Sequence, residues 1–213
     1  RGPGARRARR ARSARRRRRA LYRLASRTLD LTVSLAGVIF LALILAPVGA
    51  AVKLSSPGPV FYRQSRTGRQ GKVFRLIKFR TMRMDPEGET VRLPIVDERR
   101  IAPTGRFLRR THLDEVPQFI NVLRGDLALV GPRPERPEVE ELIRKKLPLF
   151  SLRHMTRPGL TGWAQVMGGY PCGLSDMKEK LQYDLFYIKN RCFFLDLVIL
   201  LKTVKAVFQL KGR

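Results

Sequence analysis

Residues 31–52 read LTVSLAGVIFLALILAPVGAAV, 22 positions without a single charge. As a helix this stretch is about 33 Å long, enough to cross a hydrocarbon core of about 30 Å. A cleaved leader fits poorly. The run is too long for the apolar part of a signal peptide, and no small-residue cleavage site with a polar, acidic-containing sequel follows. We therefore read a membrane helix and build the rest around it. Basic residues flank it on both sides: an Arg-rich N-terminal stretch before it, and Lys53, Arg63, Arg66, Arg69 and Lys72 after it. Such residues favour the cytoplasmic side of a bilayer. A spanning helix would send one cluster across, whereas a helix that enters, bends and returns keeps both on one side. Pro47 offers the bend, because proline removes a backbone hydrogen bond and clashes with the preceding turn. Charge favours the re-entrant reading over the spanning one.

The chain has 213 residues, 44% of them apolar, which suits one domain of ordinary size. Its formal charge is +27. Residues 1–27 hold 13 of the 44 Lys and Arg and none of the 17 acidic groups, yet the remainder is still strongly basic. Both parts should attract polyanions, whether nucleic acid, an anionic bilayer or phosphorylated substrates. A nucleic-acid binder needs no uninterrupted apolar segment and would interleave aromatics with its arginines, so we expect anionic membrane lipids and no nucleic acid. Arg1 to Arg19 is low-complexity Arg, Ala and Gly, expected to be disordered or ordered only on a negative surface. Cys172 and Cys192 lack the partners of a zinc site and read as two separate, buried or half-buried thiols.

Beyond the break Ser55-Ser56-Pro57-Gly58-Pro59, the chain becomes soluble in character. Val60–Tyr62 and Val73–Phe79 read as short strands, and residues 83–105 as a polar, mobile loop. Helices are expected at Val116–Leu123, entered through Pro117 and closed at Arg124-Gly125, at the segment from Pro137 to Pro148, and over residues 176–190. Phe193–Leu210 is strongly apolar with late lysines, which fits either a helix lying in the membrane interface or an ordinary core helix. The class is α+β: a mostly helical, membrane-associated catalytic domain with a few short strands, a membrane helix and amphipathic interfacial helices. Three parts follow, a tail (1–26), a re-entrant helix (27–54) and a catalytic domain (55–213).

Chemistry concentrates at Asp114-Glu115, which heads the helix beginning near Val116. Neighbouring carboxylates repel, so holding both ionised calls for a cation, and a hard ion such as Mg²⁺ tolerates few protein oxygens. The positive end of the helix should help to keep Asp114 ionised and able to attack phosphorus. Taken alone, an acidic pair at a helix start is usually a plain charge preference. Here basic groups gather beside it: Arg109 and Arg110 one turn upstream, Lys78 and Arg80 closing a strand, and Arg133 between two prolines in Gly131-Pro132-Arg133-Pro134. Arginine grips phosphate bidentately, and a stiff loop loses little freedom on binding. Arg157-Pro-Gly-Leu-Thr-Gly-Trp163-Ala-Gln165 is a tight loop that either shapes a nucleotide pocket or turns the chain. His112 and His154 look unremarkable. No Ser or Cys has triad partners.

Four phrases occur in order: SSPGPVFYRQSRTGRQGKVFRLIKFRTM (55–82), THLDEVPQFINVLRGDLALVGPRPE (111–135), RPGLTGWAQV (157–166) and YDLFYIKN (183–190). In these the chain, from Arg27 to Lys211, resembles the monotopic phosphoglycosyl transferases, also called bacterial sugar transferases, which start glycoconjugate assembly on undecaprenyl phosphate. The resemblance implies a transferase of substituted phosphate groups at the cytoplasmic face of the bacterial inner membrane. Asp114 would attack a UDP-sugar donor at the phosphate next to the sugar, releasing UMP. Polyprenyl phosphate would then accept the phospho-sugar from the aspartate. Asp114 and Glu115 would be catalytic and hold Mg²⁺, with Glu115 its main ligand. Lys78, Arg80, Arg109 and Arg133 would contact phosphate, and Arg157, Trp163, Gln165 and Asp184 would belong to the nucleotide pocket. One departure stands out. The Ser-Pro that family members carry in the membrane helix falls at Ala42-Leu43 here, and Pro47 comes one turn later. The family includes short forms that are the catalytic domain alone and longer forms with extra membrane helices, and this chain corresponds to the catalytic domain.

Overall fold

The computed structural model describes residues 3–83, 100–168 and 174–209. Helix α1 runs from Pro3 to Ser55. Strands β1 (Phe61–Thr67) and β2 (Val73–Phe79) form an antiparallel hairpin in which Phe61 faces Phe79 and Thr67 faces Val73. Helix α2 (Pro103–Arg110), a 3₁₀ turn (Leu113–Glu115) and α3 (Gln118–Arg124) lead to β3 (Ala128–Val130). Helix α4 (Pro137–Lys146) and a second 3₁₀ segment (Pro148–Met155) follow. Strand β4 (Gly159–Thr161) pairs in parallel with β3, and α5 (Trp163–Met167), α6 (Leu174–Asn190) and α7 (Phe193–Phe208) complete the chain. The architecture is mostly helical α+β.

Helix α1 is docked, and a stripe of its residues does the docking. Arg27, Asp30, Ser34, Gly37, Leu41, Ile44, Val48 and Val52 recur every three or four positions and so share one helical face. Arg27 donates from Nη1 to Val122 O (2.8 Å), which also accepts from Gly125 N, and from Nη2 to Leu123 O (2.9 Å), so it ties α1 to the last carbonyls of α3. The Asp30 carboxylate accepts from the Leu129 backbone N–H at 2.9 Å. Gly37 lies under the Phe119 ring, where a Cβ would stand 2.3 Å from a ring carbon. Leu41 and Val52 share a core with Phe79 and Leu108, with Ile44, Val48, Leu113 and Val116 packed against it. The opposite face exposes Leu31, Val33, Leu35, Ile39, Phe40, Leu43 and Leu45.

Two other clusters fill the body. One joins Leu76, Val122, Leu127, Leu129, Val130, Tyr187 and Ile199, and the other Val139, Ile143, Phe150, Met177 and Leu181. Helix α7 answers to both readings of its sequence. Ile199 and Asp196 are buried, the latter accepting from Tyr187, Tyr22 and Ser26, while Phe194, Leu197, Leu201, Val204 and Phe208 form an exposed apolar stripe.

Several expectations change. The break expected at Pro47 is absent, because the helix continues through it to Ser55 and its docking stripe holds on either side. The Arg-rich stretch continues helix α1 back to Pro3. Ala and Arg are strong helix formers, and extending an existing helix avoids the cost of nucleation. The division at 54/55 marks a change of composition, but the core runs across it. Of the loop at 83–105, residues 84–99 lie outside the described residues, and α2 already begins at Pro103, where proline suits the first helical position. The loop at 157–165 is instead a strand and the start of α5. A Cβ at Gly159 would come 2.1 Å from Gly131 N and one at Gly162 2.2 Å from Gly131 O, so glycine is what lets the two segments approach. Cys192 is exposed, in the short turn between α6 and α7, and Cys172 lies outside the described residues.

Arg27→Ala should lower stability by about 1.5–3 kcal/mol, the usual worth of hydrogen bonds from a charged group. Thermal unfolding in detergent or nanodiscs checks this, and Arg27→Lys should recover only part because one ammonium nitrogen replaces the two separate guanidinium nitrogens that meet the two carbonyls.

Candidate active site

The site forms where α3 is pinned to the hairpin. Asn121, fully buried, accepts from Ile77 N (3.1 Å) and donates to Arg75 O (2.8 Å), so the strand's Lys78 is carried to the turn that precedes α3. That turn starts from His112, whose φ of 56° is left-handed, a conformation uncommon outside glycine although tolerated by histidine. The residue that looked unremarkable is therefore the one that reverses the chain between α2 and the acidic pair. Its carbonyl accepts from Glu115 N at 3.1 Å.

Glu115 is held by two cations. Lys78 Nζ is 2.9 Å from Oε1, and Arg133 Nη2 is 2.6 Å from the same oxygen. Burial pushes this carboxyl up, but Arg133 and Lys78 outweigh it and hold it well below the usual carboxylate range. Asp114 behaves in the opposite way. It is 7% exposed, and burial, followed by the charge of Glu115, raises its carboxyl to about 6 against the pull of Lys78, Arg109 and Arg133. Asp114 lies in the 3₁₀ turn rather than at the helix end expected from its position, and α3 begins four residues later. Among the described residues, none donates a hydrogen bond to the Asp114 carboxylate. Arg109 donates from Nε to Thr81 Oγ1 at 3.0 Å, and burial lowers its guanidinium while Asp114 and Glu115 oppose that shift.

Asp114, Glu115, Lys78, Arg109 and Arg133 thus come together. Arg80 does not join them. It is 4% exposed and reaches back to the end of α1, donating to Val52 O at 3.3 Å and Ser56 O at 2.6 Å. The four expected nucleotide-pocket residues each have contacts of their own within the protein. Arg157 pairs with Asp30 at 3.5 Å, and Asp184 is 1% exposed and paired with Arg153 at 2.7 Å. Trp163 packs on the core and stacks on Phe186 at 5.9 Å, while Gln165 is exposed and donates to Leu160 O. Two residues at the site, Thr81 and Arg153, went unnoticed in the sequence. A lone threonine or arginine carries no pattern, and only burial reveals its role.

Among the described residues no group of three or more His, Cys, Asp or Glu could hold a metal ion. The adjacent pair Asp114-Glu115 still fits Mg²⁺, which commonly binds one or two carboxylates and completes its shell with water and substrate phosphate. Of the two, Asp114 is the carboxylate without an ion pair among the described residues.

The sequence model described as bacterial sugar transferase matches residues 21–210. The chain is 34% identical over 187 residues to the UDP-N-acetylgalactosamine-undecaprenyl-phosphate N-acetylgalactosaminephosphotransferase of Aeromonas hydrophila, covering 88% of this chain and 44% of that protein. It is 40% identical over 184 residues to the UDP-glucose:undecaprenyl-phosphate glucose-1-phosphate transferase of Escherichia coli (strain K12), covering 85% of this chain and 40% of the relative. Against the uncharacterized sugar transferase EpsL of Bacillus subtilis (strain 168), identity is again 40%, with 87% and 88% covered. The chain therefore spans about two fifths of the first two relatives and most of the third. A match over nearly the whole chain, with the acidic pair and its cations on the matched segment, means that the chain belongs to the bacterial sugar transferase family.

Proposed function

We propose that the chain transfers a sugar 1-phosphate from a UDP-sugar to undecaprenyl phosphate through a covalent intermediate on Asp114, an early membrane step in glycoconjugate assembly. The observation that carries this is the division within the acidic pair: Glu115 is neutralised by Lys78 and Arg133, while Asp114 has no described hydrogen-bond donor occupying it. An ionised Asp114 oxygen attacks the phosphorus that bears the sugar. The bond from that phosphorus to the oxygen bridging the two phosphates breaks, and UMP leaves with that oxygen and the electron pair. An oxygen of undecaprenyl phosphate then attacks the same phosphorus, and Asp114 departs as a carboxylate. Lys78, Arg109 and Arg133 lower the cost of bringing an anion to an anionic diphosphate. Mg²⁺, held by Asp114 and Glu115, would neutralise phosphate charge when bound. The names carried by the relatives support a UDP-sugar donor and this acceptor.

Location at a membrane follows from α1. Only 17% of its most apolar stretch is buried within the protein, so the rest calls for lipid. The docked face from Arg27 to Val52 is about 37 Å long, longer than a hydrocarbon core. A helix crossing along the bilayer normal would drag the body through lipid. We therefore read α1 as lying on or dipping into one face, the cytoplasmic face of the inner membrane, with the outward stripe of α7 in the same interface. A scaffold without chemistry would leave the cluster around Asp114 without a use.

Incubated with UDP-sugars, Mg²⁺ and undecaprenyl phosphate, the wild type should release UMP, and Asp114→Asn should not. With donor alone, mass spectrometry should find one phospho-sugar on Asp114. Product formation without that adduct would remove the covalent route. EDTA should stop turnover, and added Mg²⁺ should restore it. In metal-free protein, carbon-13 NMR should show Asp114 losing its proton near pH 6. Glu115→Gln removes the like charge that helps to raise this carboxyl, so the midpoint should move down.

A further inference from the structure

The loop that carries Arg133 is fixed at successive carbonyls. Pro132 O accepts from Gly159 N (3.0 Å), Arg133 O from Arg153 Nη2 (2.7 Å), Pro134 O from Arg66 Nη1 (2.9 Å) and Glu135 O from Thr67 N (2.9 Å). Prolines at 132 and 134 already restrict the backbone. Of these anchors, Arg153 is the side chain that grips Arg133 itself, and it is held on two further sides. Its Nε donates to Asp184 Oδ2 at 2.7 Å, its guanidinium lies 4.4 Å from the Phe150 ring centre, and the ion pair is 3% and 1% exposed. Burying two charges is costly, and an apolar pair of similar volume would often be at least as stable. Stability alone therefore gives little reason for this pair. Its outlet is the Arg133 carbonyl.

We propose that Arg153, oriented by Asp184, is a positioning residue that sets where the Arg133 guanidinium meets Glu115 and the donor's phosphates. This rests on the transfer reading given above. Asp184 acts one step further back. Its carboxylate fixes the plane of the Arg153 guanidinium, so that Nη2 faces the loop while Nε faces α6. Lysine cannot make both contacts at once.

The experiment is a double-mutant cycle on the full chain in nanodiscs, reading UMP release with donor and undecaprenyl phosphate. Arg153→Lys should lower kcat by about 10- to 100-fold, the scale expected when a positioned group drifts by an ångström. In an Arg133→Ala background the same change should have little further effect, because the group being positioned is gone. Asp184→Asn, which keeps an acceptor for Nε, should give a smaller loss with the same dependence on Arg133. Hydrogen exchange over residues 131–136 should quicken in both single variants by more than in the remaining core, beyond the general loss of stability that breaking a buried pair brings. Losses that multiply independently of Arg133 would overturn the proposal, as would unfolding of both variants or unchanged exchange in the loop. A wild type that releases no UMP would remove the transfer reading instead, and the exchange measurement would still report on the loop.

Discussion

Helix α1 combines an apolar run that is mostly exposed with a narrow stripe that docks on the folded body. Along that stripe the contacts pass from polar to apolar. Arg27 and Asp30 exchange hydrogen bonds with the end of α3 and the start of β3, Gly37 admits the Phe119 ring, and Leu41 to Val52 complete the core beneath Phe79 and Leu108. Leu113 and Val116, the neighbours of the acidic pair, rest on that same core. The position of Asp114 therefore depends on how α1 sits.

The electrostatics of the pair follow from this seat. Two adjacent carboxylates in a poorly solvated turn cannot both be ionised without compensation. The fold places Lys78 and Arg133 on Glu115 and leaves Asp114 to be opposed by burial and its neighbour. Two carboxylates adjacent in sequence therefore meet opposite electrostatic surroundings. The division comes from the elements that deliver the cations. Strand β2, pinned by Asn121, brings Lys78, and the Gly131–Glu135 loop brings Arg133.

Much of this was legible in the sequence, and what was hidden was hidden for physical reasons. The boundaries of β2 and α4 follow local signals, a β-rich run and a Pro-to-Pro helix, and the acidic pair with Lys78, Arg109 and Arg133 could be gathered from motif order. The docking stripe could not be seen, because lipid-facing Leu and core-facing Leu look alike when both surroundings are apolar. Pro47 promised a break that side-chain packing on both sides overrides. The parallel pair β3 and β4 has only three residues in each strand and depends on three glycines in close approach, a tertiary fact with no local periodicity. The internal partners of Arg80, Arg157 and Asp184, which are Val52 O and Ser56 O, Asp30, and Arg153 respectively, are tertiary contacts that no local pattern announces.

The stripe on α1 also decides what kind of object this molecule is. Were the first 55 residues cut away, Leu129 N–H and the Leu123 carbonyl would lose their partners, and Phe119, Phe79 and Leu108 would be uncovered. Helix α1 is part of the core on which the turn of the acidic pair rests, and the remainder is not a detachable module.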